Sequence, residues 1–169
     1  MKKLHQTLAA ALICLPMAAM AQLPSLKSLP SLPSIPSAGG GGDLSGQNDS
    51  LVRGYVAANK DVLLANSQMA DALGLKDAAA KKKYQSGMAQ LGQGLLKYIA
   101  LSGPAQAFSG SLKSASPMML PKLQSGVYVA TQLPTGLSNL GTSMKNANAF
   151  AKSNDIPVPP DATKAMAAL

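Results

Sequence analysis

From Asp49 to Leu101 the chain carries no proline, and its apolar residues recur at three- and four-residue spacing. That period is the helical one, and a stretch this long without a breaker leaves little room for any other fold. Val52, Tyr55, Val56, Val62, Leu63, Met69, Ala70 and Leu73 form the first stripe, with Asp49 or Ser50 placed to cap it and Gly74 to close it. Asp77 is placed to cap a second helix, whose buried side reads Ala80, Tyr84, Met88, Leu91, Leu95, Tyr98 and Ile99 until Ser102-Gly103-Pro104. Two helices of about 25 residues and a very short loop predict an antiparallel hairpin roughly 37 Å long.

The remainder is more broken. Pro104 is placed to start a helix reaching about Ala115, and Ser116-Pro117 with Pro121 to start another reaching Leu133, with Leu123, Val127 and Ala130 inward. Pro134 is placed to open a further one through Leu137, Leu140, Met144, Ala147 and Phe150. Ile156-Pro157-Val158-Pro159-Pro160 cannot be helix interior, and Asp161 is placed to cap a last turn. The expected fold is an all-α bundle of four to five helices over residues 43–169, with a proline-rich C-terminal tail.

The residues before 43 read differently. Lys2 and Lys3, the apolar run Leu8 to Met17 and the Ala19-Met20-Ala21 site together form a cleavable export signal over residues 1–21. Ile13 precedes Cys14 where a lipoprotein signal needs a small residue, so lipid attachment is not expected. The expectation is a soluble protein exported from a bacterial cytoplasm to the periplasm or the medium, with no transmembrane helix in the processed chain. Residues 23–37 are five triplets in which Leu23, Leu26, Leu29, Leu32 and Ile35 recur every third place, four of the triplets holding proline. This is the polyproline II period and predicts a tether, disordered or polyproline II-like, over residues 22–42 that ends in the Gly39–Gly42 swivel. It is either a spacer or a docking edge. A docking edge is expected to contribute more to partner affinity than to stability.

Removal of the signal leaves no Cys, His, Trp or Glu, and 13 Lys/Arg against 7 Asp. Disulfides are excluded, so packing alone must hold the bundle. Zinc, copper and haem sites lose their ligands, and His-dependent nucleophile systems their base. No lysine has Ser three places before it, and Thr142-x-x-Lys145 is the nearest approach to a Ser-Lys hydrolase pattern. No catalytic residue, metal site or cofactor is expected. A hydrolase built from Asp, Ser and Lys is the residual alternative.

Charge is segregated. Five Asp lie between residues 43 and 77, whereas residues 78–154 hold eight lysines and no acid. Lys81, Lys82, Lys83, Lys97, Lys113 and Lys122 are therefore the candidate contacts for an anionic partner, unless the acidic first helix neutralises them. Export and the scarcity of free aromatics argue against nucleic acid. The leading expectation is a non-catalytic envelope protein that binds a protein or an anionic envelope component, a lipid headgroup or polymer. The alternative is a carrier of an apolar or amphiphilic ligand. Gly87 and Gly94, seven apart on the line from Ala80 to Leu101, fit either a seam for close helix approach or a thin cavity wall. Met118 and Met119 are neighbours that cannot both face one core stripe.

Overall fold

The computed structural model describes residues 43–169; the segments read from sequence as an export signal (1–21) and as a tether with its Leu/Ile edge (22–42) lie outside the described residues. Four α-helices follow in order: α1 (Leu44–Leu73), α2 (Asp77–Ser111), α3 (Gln124–Ser153) and α4 (Pro160–Ala167). Short 3-10 turns at Leu112–Ser114 and Leu120–Leu123 lie between α2 and α3, and no strand is present among the described residues. The fold is an all-α bundle, as the periodicity requires.

Helix α2 is the central element, touching α1 along the hairpin and α3 and α4 on its other sides. Its 35 residues make it about 52 Å long, beyond the 37 Å expected. The extra length comes from Pro104, which does not start a new helix but lies inside α2; Pro134 likewise lies inside α3. A proline in a helix interior removes one backbone hydrogen bond and costs about 3 kcal/mol. Here the buried stripe runs on in phase past each one, as Tyr98, Leu101, Ala105 and Phe108 in α2 and as Val129, Leu133, Leu140 and Met144 in α3. Full burial of a large apolar side chain is worth roughly 1.5–3 kcal/mol, so Leu140, Met144 and Phe150 beyond Pro134 outweigh the loss, and Phe108 beyond Pro104 recovers much of it. Tertiary packing overrides the local break.

Other boundaries also move. Helix α1 begins five residues before the expected cap, because the Asp43 carboxylate accepts the Gly46 amide at 2.8 Å. Asp77 stands at the start of α2 with φ 51° and makes no capping hydrogen bond. Asp161 does not cap α4 but accepts Gln93 Nε2 at 3.0 Å, tying α4 to α2. Pro160 occupies the first turn of α4, where its missing N–H is not needed. Leu63 and Val127, expected inward, are 48% and 38% exposed. The true stripe of α1 is Leu51, Tyr55, Ala58, Val62, Ala65, Met69 and Ala72, and that of early α3 includes Leu133 and Val129. Neighbours such as Leu63 and Val127 match a three- or four-residue spacing yet fall one step off these stripes.

Two contacts lock the remaining elements. The buried Asn48 side chain of α1 accepts the Gly126 amide at 2.8 Å, supplying α3 with the N-terminal partner that its own residues do not provide. At the other end of α3, Asp155 is left-handed (φ 51°) and the Ile156 amide returns to the Ala151 carbonyl at 2.9 Å. This Schellman-type closure turns the chain back toward α4.

Gly92 is where α4 rests on α2. A Cβ there would lie 2.6 Å from the Asp161 carbonyl carbon and 2.7 Å from the Ala162 nitrogen, both backbone atoms. Gly92→Ala is therefore expected to destabilise by about 1–3 kcal/mol despite the better helix propensity of alanine. Gly110→Ala, with nothing within 4 Å of the added methyl, is expected to be neutral or to stabilise by up to about 1 kcal/mol. Urea unfolding of both variants checks the pair, and equal effects would contradict this packing of α4.

Candidate interaction surfaces

The structure does not gather the six candidate lysines into one patch. Lys81, Lys82 and Lys83 lie near the start of α2, at the hairpin end, with Lys76 just before the helix. Lys97 lies midway along α2. Lys113 and Lys122 lie in and around the 3-10 turns at the far end, roughly 45 Å along the axis from Lys82.

Two of the six meet an acid, and both acids come from α1. Lys83 Nζ pairs with Asp71 at 3.3 Å, on a well-solvated edge. Lys97 pairs with Asp61, whose other carboxylate oxygen accepts Gln90 Nε2 at 2.8 Å. Asp61 is the better-buried partner, so this contact adds more to the α1–α2 packing than an exposed pair such as Lys83–Asp71, which contributes at most about 1 kcal/mol. Lys81, Lys82, Lys113 and Lys122 are exposed and have no carboxylate within ion-pair distance among the described residues.

The hairpin end gains a further charge from α3. Tyr84 of α2 donates to the Ala147 carbonyl at 3.3 Å and its ring lies 4.8 Å from that of Phe150. The last turn of α3, with Lys152, is thus brought level with the first turns of α2. Lys76, Lys81, Lys82 and Lys152 share one end of the bundle.

The opposite end exposes apolar side chains beside Lys113 and Lys122. Met118, Leu120, Val127 and Tyr128 are 86%, 45%, 38% and 40% exposed. The Met118-Met119 pair divides as its neighbouring positions demand: Met119 packs against the core and Met118 faces outward. The sequence marked that pair, but the exposure of Val127 was missed because its spacing from Leu123 and Ala130 read as inward, and no sequence signal marked Tyr128.

The glycine line serves close helix approach. A Cβ at Gly87 would lie 3.0 Å from the Ala65 carbonyl oxygen, and one at Gly94 2.9 Å from Val62 Cγ2. These positions are filled by α1, so they do not wall a cavity. Among the described residues no three of His, Cys, Asp and Glu come together, and no helix is long and apolar enough to cross a membrane. Compared with protein-family models, curated proteins and solved structures, the chain matches none.

Two buried phenols set the alkaline behaviour. Burial pushes Tyr84 up from its ordinary value near 10 to about 12. Tyr98 is raised still further, first by burial and then by neighbouring Tyr55, against which its ring is tilted at 5.5 Å; its hydroxyl donates to Asn59 Oδ1 at 2.9 Å. The unfolded phenols release their protons first, so the stability that neutral Tyr84 contributes is whole below pH 10 and lost as pH rises toward about 12. Tyr84→Phe is expected to be less stable at pH 7 but to lose less stability than the parent between pH 9 and 11.5. Urea midpoints at the two pH values measure the difference, and equal losses would contradict it.

Proposed function

We propose that this chain is an exported, non-catalytic binding module whose basic hairpin end engages an anionic partner in the cell envelope. The observation that carries the reading is the set of exposed lysines without acidic partners. Residues 78–154 contain eight lysines, of which only Lys83 and Lys97 meet a carboxylate. Lysines held apart from acids on a rigid helix give a field that attracts anions and that salt screens.

The hairpin end is the part that fits best. Lys81 and Lys82 follow the first turn of α2, where the helix dipole is positive and the only acid is Asp77. Such a placement gains nothing for the helix itself. It leaves positive charge for a phosphate, a carboxylate or a sulfate on the partner, whether a lipid headgroup, an envelope polymer or an acidic protein surface.

Binding to vesicles containing anionic phosphatidylglycerol, and separately to a soluble polyanion, tests the reading directly. Affinity is expected to fall at least tenfold between about 50 and 500 mM salt, as the Debye length drops from roughly 14 Å to about 4 Å. Neutralising Lys76, Lys81 and Lys82 to Gln should remove most of the binding and leave the urea midpoint nearly unchanged, since none of the three has an ion-pair partner. Lys83 is left out because its replacement would break the pair with Asp71. Binding that ignores both salt and these lysines would overturn the proposal.

A further inference from the structure

The end of the bundle where the N-terminal segment enters is also the end that exposes most apolar surface. Asp43 caps α1, and one turn further Asn48 holds the amide of Gly126, so the chain joins the bundle beside the start of α3. Helix α1 also touches the Leu120–Leu123 turn. Met118, Leu120, Val127 and Tyr128, four of the eight large exposed hydrophobic residues among those described, lie in the segment that leads into α3 and in its first two turns, on the element that Asn48 holds. Met119 and Leu123, from the same stretch, are seated in the core and hold this surface in place.

We propose that residues 23–37 lay their aliphatic edge on this surface, so that the tether is an intramolecular ligand of its own bundle. The chemistry of the two sides agrees. Leu23, Leu26, Leu29, Leu32 and Ile35 fall on one edge of a period-three helix, and Pro30, Pro33 and Pro36 preset its backbone. Proline-rich segments of this kind dock on aromatic and aliphatic surfaces at low ordering cost, and Tyr128 offers a part-exposed ring. The reach is sufficient. Ser37 lies six residues from Asp43, at most roughly 20 Å of chain, and the Gly39–Gly42 run lets that chain reverse direction. Covalent attachment gives the segment an effective concentration in the millimolar range at this surface, which favours it over a second copy or a lipid surface as the occupant. The proposal is independent of the basic end, 45 Å away by roughly 1.5 Å per residue of α2.

Cysteine is absent after residue 14, so a single spin label can be placed in the tether. The full chain carrying Cys14→Ser and Ser34→Cys, labelled with a nitroxide, is compared by amide NMR with its reduced form. Signals of residues 118–128 are expected to lose more than half their intensity, while those of residues 74–85 keep theirs. Adding Leu26→Ser, Leu29→Ser and Leu32→Ser keeps length and prolines and should restore most of the lost intensity; far-UV circular dichroism verifies that the bundle is unchanged. Broadening that only fades with distance from residue 43 and survives the three substitutions would overturn the proposal. So would broadening of an unlabelled isotopic chain by a labelled one, which would place the segment on a second copy. Protection of residues 118–128 only when lipid vesicles are added would overturn it in favour of a membrane.

Discussion

The seam between α1 and α2 is the contact on which the rest of the bundle depends. Ala58, Ala65 and Ala72 of α1 are almost completely buried, and seven-residue spacing sets them against the line of Gly87 and Gly94 in α2. Without side chains in the way, the two backbones approach until a Cβ at Gly87 or Gly94 would press on the carbonyl oxygen of Ala65 or Ala58. Leu101 closes the far end of the seam over Gly54. Close approach of this kind tolerates only one register, because a slide of one residue would drive an alanine or valine into a carbonyl. Each glycine costs about 1 kcal/mol of helix propensity, and the seam recovers it in packing.

The register then determines the polar contacts. It sets Asn59 beside Tyr98, Asp61 beside Gln90 and Lys97, and Asp71 beside Lys83. It also puts the start of α1 next to the turn that leads into α3, so that Asn48 can hold Gly126 beneath Phe108. Gly126 and Gly92 repeat the same device for α3 and α4: a missing side chain is where another element comes close. With no cysteine after residue 14, no disulfide can hold the bundle, and such contacts extend the α1–α2 seam to α3 and α4.

Much of this was legible in the sequence, and what was not has a physical reason. The hairpin and its closing Gly74 and the buried faces of Tyr84, Met88, Leu91, Leu95 and Tyr98 follow from period and spacing, whereas Gly87 and Gly94 fitted a seam or a cavity wall until the contacts with α1 decided for the seam. The passage of α2 through Pro104 and of α3 through Pro134 did not follow, because local chain preference says nothing of how much apolar surface lies beyond a proline. Asn48 was invisible as a core residue because its only justification is an amide 78 residues later. Charge segregation was legible, but not its division between two ends of a long helix, which depends on α2 running unbroken past Pro104. The tether's edge was legible as a pattern, with spacer and docking edge as its two readings, but the sequence offered no surface on which it could dock.

The two ends of α2 differ: Lys76, Lys81, Lys82 and Lys152 gather at one, with Asp77 and Asp155, and Met118, Leu120, Val127 and Tyr128 are exposed beside Lys113 and Lys122 at the other, a polarity of apolar surface more than of charge. The most direct test of the hairpin end as the anion site is an amide NMR titration of the intact protein with a soluble polyanion at low salt. The account predicts shifts confined to residues 74–85 and 148–154. Shifts centred on residues 113–128, or spread evenly over every lysine-bearing turn, would contradict it.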